Sequence, residues 1–286
     1  MTGANKGIGL ATVKAILEQH DDVSVLLGAR DPARGHAAID ALCLARPEWA
    51  TRLDLLEIDV AEQQSVSRAR DHVIEKYGPN TTPLYGIVNN AGIGLGSADI
   101  ENVVNVNTLG VKRVCDAFIP LIETAGRVVN VSSASGPKFV SQCSPQRQAF
   151  FKDASIEWEN LEQLINDFVA DAQRYKALGL GEANPYGFSK ACASLYTLML
   201  ARENPALTIN ACTPGYIETD LTRPQAEMQG ATPADMGMKS AEHGAVPILF
   251  LLFGKPHGSG HYYGSDARRS PLDCYRAPGG PEYNGS

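Results

Sequence analysis

The chain has 286 residues, 44% hydrophobic and 20% charged, the make-up of a soluble protein with a core large enough for one α/β domain. Acidic residues outnumber Lys plus Arg by 32 to 25, a formal charge of −7. That balance excludes a general binder of nucleic acid or anionic membrane, because no basic surplus exists to neutralise phosphates. The longest apolar stretch, Ala245 to Phe253, contains Pro247 and falls well short of the about 20 residues a bilayer span requires.

From the start, Thr2-Gly-Ala-Asn-Lys-Gly-Ile-Gly9 opens directly into an amphipathic run, Leu10, Val13, Ile16 and Leu17. Beyond it, short continuous runs of Val, Ile and Leu predict strands at 23–29, 53–58, 84–89, 127–131 and 207–211. Between them, helical spacing predicts helices at 8–20, 32–47, 62–77, 101–124 and 186–203. Strands that are continuous rather than alternating are those buried on both faces, so this order predicts a doubly wound α/β fold with a parallel sheet. Residues 137–180 are too long for a simple connection. Within them Trp158, Leu161, Ile165, Phe168 and Ala172 recur at helical spacing after Ser155, a capping type, which predicts an inserted helical segment. The tail, 265–286, is rich in Pro, Gly and charge and is expected to be loosely packed or disordered.

Gly3, Gly7 and Gly9 permit a tight turn and close backbone approach to a pyrophosphate, whose charge the following helix N-terminus stabilises. Their spacing, G-x-x-x-G-x-G, differs from the usual dinucleotide fingerprint. About 20 positions on, where a ribose-reading carboxylate would select NAD, stand Ala29 and Arg30. A small residue followed by Arg, with Lys6 in the loop as a second cation, favours NADP(H). The alternative is that Arg30 is a solvated helix-entry residue and Asp31 an N-cap. Six cysteines lie far apart, without CxxC or a Cys/His cluster, so neither zinc ligation nor a disulfide scaffold is expected. A reducing, cytoplasmic setting suits them. None of the six histidines has a motif around it, and all are taken as structural or exposed.

The loop, Asn89-Asn90-Ala91-Gly92 after the strand at 84–89, and Tyr186-Gly-Phe-Ser-Lys190 together resemble the short-chain dehydrogenase/reductase family, over Thr2 to about Gly264. Asp59-Val60, Asn107 in Asn-Thr-Leu-Gly110, Ser132-Ser133, and Pro214-Gly215 with Thr219 fall in the same order. Arg127-Val-Val-Asn-Val-Ser-Ser133, Ser141-Gln-Cys-Ser-Pro145 and Asn210-Ala-Cys-Thr-Pro-Gly215 are similar to its carbonyl reductase branch, as are the 53 positions between Ser133 and Tyr186. The resemblance implies a Rossmann domain over 1–264, bearing the insertion at 137–180, and a monomer, since extra helices there cover the surface other members use to associate.

The same resemblance implies a reductase in which Tyr186 gives a proton to the carbonyl oxygen and Ser133 stabilises it. Lys190 holds the nicotinamide ribose, and Asn107 fixes a water leading to Lys190. The bland alternative for Asn107 is a helix-kinking polar residue, with Asn105 a rival. A Lys four positions after a Tyr shares its helical face, so its ammonium is expected to lower the phenol's pKa from near 10. Cofactor contacts are implied for Gly3, Asn5, Lys6, Gly7, Ile8, Gly9, Arg30, Asp59, Val60, Asn90, Pro214, Gly215, Ile217 and Thr219, besides Tyr186 and Lys190. No metal is implied. The expected function is NADPH-dependent reduction of ketones, aldehydes or quinones. Its alternatives are an NADP-dependent alcohol dehydrogenase run in the oxidative direction, and a non-catalytic NADP(H)-binding relative. One departure stands out. The family begins with an apolar strand before Thr-Gly, and only Met1 precedes Thr2 here, so the expectation is a sheet missing its first strand in a chain shortened at its start.

Overall fold

Runs of Val, Ile and Leu make the parallel strands, and a computed structural model describes them within residues 1–94, 99–171 and 174–285. The strands are β1 Val25–Ala29, β2 Leu53–Glu57, β3 Leu84–Asn89, β4 Ile122–Val131, β5 Thr208–Cys212, β6 His261–Tyr263 and β7 Arg269–Ser270. Helices before the insertion are α1 Gly7–Gln19, α2 Pro32–Ala45, α3 Gln63–Tyr77, α4 Ile100–Val104 and α5 Gly110–Phe118. The insertion holds α6 Ser135–Val140, α7 Pro145–Lys152 and α8 Trp158–Ala170. After it come α9 Pro185–Glu203, α10 Arg223–Met228 and α11 Ala241–Phe253.

The sheet is hydrogen-bonded in two parts, β1-β2 and β3-β4-β5-β6-β7, parallel except for the β6–β7 pair. Between them runs the start of the chain. The Met1 amino group donates to the Leu26 carbonyl at 2.9 Å, and Gly28 N–H to the Met1 carbonyl at 2.8 Å. Thr2 N–H donates to the Val88 carbonyl and Ala4 N–H to the Gly28 carbonyl, both at 2.9 Å. Residues 1–4 thus occupy the strand position between β1 and β3 for a short length. Beyond Met1 the two edges face each other across a cavity of about 390 Å³, lined by Val25, Leu26, Leu84, Ile87 and Phe118 among others.

Helices cover both faces, as strands buried on both sides require. Val13, Ile16 and Leu17 of α1 join Leu42 of α2 and Ile248 and Leu251 of α11 on one face. On the other, Val66 and Val73 of α3, Val114 of α5 and Phe188 and Leu195 of α9 form a core that continues into the insertion through Phe139, Phe151, Leu161 and Phe168. No helix among the described residues is long and apolar enough to cross a membrane.

Three expectations change, and one helix was not anticipated. The helix expected over 101–124 is α4, a π-helical turn over Asn105–Leu109, and α5; Pro120 lies in a single 3-10 turn and β4 starts at Ile122. Ser155 does not cap α8: Glu157 holds that position, and Ser155 donates its hydroxyl to Asp153 at 2.6 Å. Ala172 of the periodic run lies outside the described residues. Ala245 to Phe253 belongs to a helix that is apolar nearly all round, a pattern without the periodicity that marks a surface helix. The tail is ordered rather than loose. β7 pairs with β6 through Tyr262 and Ser270, and Arg276, its side chain only 7% exposed, is ion-paired to Asp266, which also accepts from Gly279 N–H at 2.9 Å. A strand pair and ion pairs, Arg276 with Asp266 and Lys152 with Asp273, hold a segment that composition alone marks as loose.

The close passage of Met1 past β1 depends on Gly28, where an added Cβ would lie 2.6 Å from the Met1 carbonyl oxygen. Gly28→Val should therefore lower unfolding stability by about 1–3 kcal/mol in urea denaturation. Unchanged stability would show that residues 1–4 do not hold the sheet's halves together.

Candidate active site

Strand ends and the central helix bring the polar residues together. α9 starts with Asn184 accepting from Gly187 N–H and with Pro185 in the first turn, which fixes where Tyr186 and Lys190 emerge. Lys190, 4% exposed, donates from Nζ to the carbonyl of Val131, the last residue of β4, at 2.9 Å. The same ammonium lies 5.8 Å from the Tyr186 ring centre. Ser132 turns onto α9, bonding the Lys190 carbonyl at 3.0 Å and the Ser194 hydroxyl at 2.8 Å. Ser133 accepts from Ser135 N–H at 3.1 Å and lines the same cavity as the Tyr186 phenol.

Burial sets the titration of this pair. It lowers the Lys190 ammonium from its ordinary value to about 8 and raises the Tyr186 phenol, on which the Ser133 hydroxyl acts in the opposite sense. The lowering of the phenol expected from its lysine neighbour is thus reversed in the free chain. Desolvation of the phenolate outweighs a cation 5.8 Å from the ring centre.

Asn107 sits fully buried in the π-turn. Its Oδ1 accepts from Ile93 N–H and its Nδ2 donates to the Ile93 carbonyl, both at 2.9 Å, and to the Ser189 hydroxyl at 3.1 Å. A Cβ on Gly92 would lie 3.3 Å from both Asn107 Oδ1 and Lys190 Nζ, so the bare glycine leaves these two groups facing one space. Asn105 is committed elsewhere, accepting from Arg113 at 2.6 Å and donating to the Ala61 carbonyl at 3.3 Å.

The glycine loop fits a pyrophosphate. Gly3 and Gly7 take positive φ, +60° and +55°, and a Cβ on Gly9 would collide with the Gly3 carbonyl. α1 follows with Lys6 at its N-cap and no side chain capping it, which leaves first-turn amides for an anion. Asn90 braces the loop, its Nδ2 donating to the carbonyls of Thr2 and Gly3 at 3.1 and 2.9 Å. Thr219 closes over it, its Cγ2 3.4 Å from where a Gly7 Cβ would stand. Lys6 is engaged by Asp220 at 2.6 Å rather than free, whereas Arg30 is exposed just past β1. Asp59, just past β2, accepts from Ala61 N–H at 3.0 Å, and the adjoining Val60 is buried.

Ser133, Tyr186 and Lys190 share one cavity of about 730 Å³ with Ile8, Asn90, Pro214, Gly215, Ile217 and Thr219. Gly3, Asn5, Lys6, Gly7 and Gly9 form the loop beside it, and Arg30, Asp59 and Val60 follow the ends of β1 and β2. Asn107 stands behind the wall, reaching it across Gly92. The cavity is also lined by Lys138, Gln225, Lys239, Tyr275 and Arg276, none of which the sequence singled out. For Lys138, Tyr275 and Arg276 the only advance signal was an insertion and a tail that had to pack somewhere; Gln225 and Lys239 lie outside both. Among the described residues no cluster of His, Cys, Asp or Glu suits a metal.

Comparison with known proteins gives the family. The family model for short chain dehydrogenase matches residues 1–145. Carbonyl reductase (NADPH) 1 of Rattus norvegicus is 33% identical over 274 residues, 91% of this chain and 92% of the relative. The Homo sapiens protein of that name is also 33% identical, with the same shares covered. Salutaridine reductase from Papaver somniferum superposes with a TM-score of 0.74 at 25% identity, over 92% of this chain and 97% of that one. NADPH-bound carbonyl reductase from chicken fatty liver shares the fold at a TM-score of 0.65 and 21% identity, over 94% and 96% of the two chains. With a matched family model and relatives at this identity along nearly the whole length, the chain belongs to the short-chain dehydrogenase family.

Proposed function

We propose that the chain is an NADPH-dependent carbonyl reductase acting on ketones, aldehydes or quinones, with Tyr186 as proton donor. The observation that carries this reading is Lys190, buried beside Tyr186 and tied to the end of β4, in the same cavity as Ser133 and next to the glycine loop. Relatives named NADPH carbonyl reductases support the cofactor and the reaction class. So does Arg30, exposed just past β1, at the position from which the dinucleotide fold would read a 2′-phosphate.

Bound NADPH supplies a hydride to the carbonyl carbon. Ser133 donates a hydrogen bond to the carbonyl oxygen, where negative charge develops. Tyr186 passes its phenolic proton to that oxygen, leaving a phenolate that the Lys190 ammonium stabilises. Lys190, held by Val131, is the nearest source for returning the proton, and the space it shares with Asn107 at Gly92 is the path for water to reach it. The proposal includes a monomer, supported by Leu161, Leu164, Ile165 and Phe168 of α8, which are buried within the chain's own core. It also includes a reducing, cytoplasmic setting, supported by cysteines that are all unpaired.

With a small quinone and an aromatic ketone, Tyr186→Phe should cut NADPH oxidation at 340 nm by about 100-fold or more while NADPH binding, read by fluorescence, persists. Unaltered turnover would contradict the assignment. Lys190→Met should lose activity yet melt higher than the parent at pH 7. Below pH 8 the native state carries the full cost of a buried ammonium, and the unfolded chain holds its proton up to about 10.5. The parent therefore gains stability as pH rises from about 8 to 10.5, and the variant's advantage should shrink over that window. A variant that melts lower at pH 7 would show that the bond to Val131 outweighs desolvation.

A further inference from the structure

The cavity wall carries Lys138, Lys190, Lys239, Arg276 and His243 and no aspartate or glutamate among the described residues, although the chain is acidic overall. Three of the five have partners. His243 Nδ1 and the Ser240 hydroxyl hydrogen-bond at 3.1 Å. Lys190 serves Tyr186, and Arg276 is neutralised by Asp266. Lys239 belongs to the glycine-loop end, its backbone paired with Ile217, which with Ile8 borders Gly244. That leaves Lys138.

Lys138 projects from α6, whose helix begins two residues after Ser133, and its backbone N–H bonds the Ala134 carbonyl one turn back. Its ammonium is exposed, has no acid within 4 Å among the described residues, and rests 4.5 Å over the ring of Tyr275. Tyr275 is held there by the tail. Arg276 binds Asp266 and donates to Ser270 at 2.9 Å, and Asp273 pairs with Lys152 at 2.6 Å. The tail thus brings to the cavity wall an aromatic ring, and on it rests a cation that has no acidic partner among the described residues.

We propose that Lys138 and Tyr275 form an anion-accepting subsite, so that the preferred substrates are carbonyl compounds bearing a carboxylate on the far side of an aromatic or similar planar spacer. The proposal rests on the reductase reading above for which end holds the carbonyl. Ala134 and Lys138 are separated by roughly 6 Å of helix rise, comparable to the span of a para-substituted ring. Ser133, Tyr186, Lys138 and Tyr275 line one cavity, so a ketone held at Ser133 and Tyr186 would direct a carboxylate across such a ring towards Lys138.

The probes are 4-acetylbenzoate and its methyl ester, with the NADP-loaded full chain. Calorimetry gives the ratio of their dissociation constants, and NADPH oxidation gives the ratio of their kcat/KM. The parent should favour the acid, increasingly so at low salt. Lys138→Gln should reduce the acid-to-ester ratio about fivefold and Lys138→Glu about twentyfold, while Lys138→Arg keeps it. Failure of the parent to bind the acid, or equal ratios in the parent and both charge variants, would overturn the subsite and leave Lys138 as a clip for the tail. If the parent reduces neither probe, the reductase reading fails instead, and the calorimetric ratio still decides the subsite.

Discussion

The bond from Lys190 Nζ to the Val131 carbonyl fixes the rest of the site. It places a cation at the end of a central strand, and burial there makes that charge costly to keep. Around it the polypeptide is arranged by what each neighbour must satisfy. Ser132 turns onto α9 to bond the Lys190 carbonyl, which leaves Ser133 for the cavity and the phenol. Gly92 provides no side chain, so Asn107 and Lys190 share the space beside it. Asn107 is steady because Ile93 occupies both ends of its amide.

The site lies where the order of strands reverses. β1 and β2 lead one way and β3 to β6 the other, with residues 1–4 bonded to both sides of the division. Ligands in open α/β sheets settle at such a point, beyond the strands' carboxyl ends. Here the glycine loop leaves it directly, and Asn90, just past β3, braces that loop by its carbonyls. A brace of this kind ties the anion site to the sheet instead of leaving it to a free loop, the rigidity a positioned hydride donor requires.

Much of this was legible in the sequence because the signals were local. Continuous apolar runs gave β3 its bounds, and the four-residue step from Tyr186 to Lys190 set both on one face of α9. What escaped depends on partners distant in the chain. The π-turn at Asn107 is supported by Ile93 and Ser189, which no window around Asn107 contains. The tail is held by a strand pair and by ion pairs, Arg276 with Asp266 and Lys152 with Asp273, in a segment whose Pro, Gly and charge content points to disorder. α11 lacks a polar face and so has no helical period to detect. The direction of the Tyr186 shift was misjudged for the same reason. Spacing shows the neighbouring cation, whereas the depth of burial is a tertiary quantity.

The central claim is that Lys190 governs the protonation of Tyr186 in the closed site. The direct measurement is a tyrosinate absorbance titration with saturating NADP⁺, with the matched Tyr186→Phe trace subtracted, for the parent and for Lys190→Met. The account predicts that the Tyr186 phenol titrates at lower pH in the parent than in Lys190→Met, by about one unit or more. Coincident titrations in the two proteins would contradict it, leaving Lys190 as a support for the strand end rather than the setter of the proton.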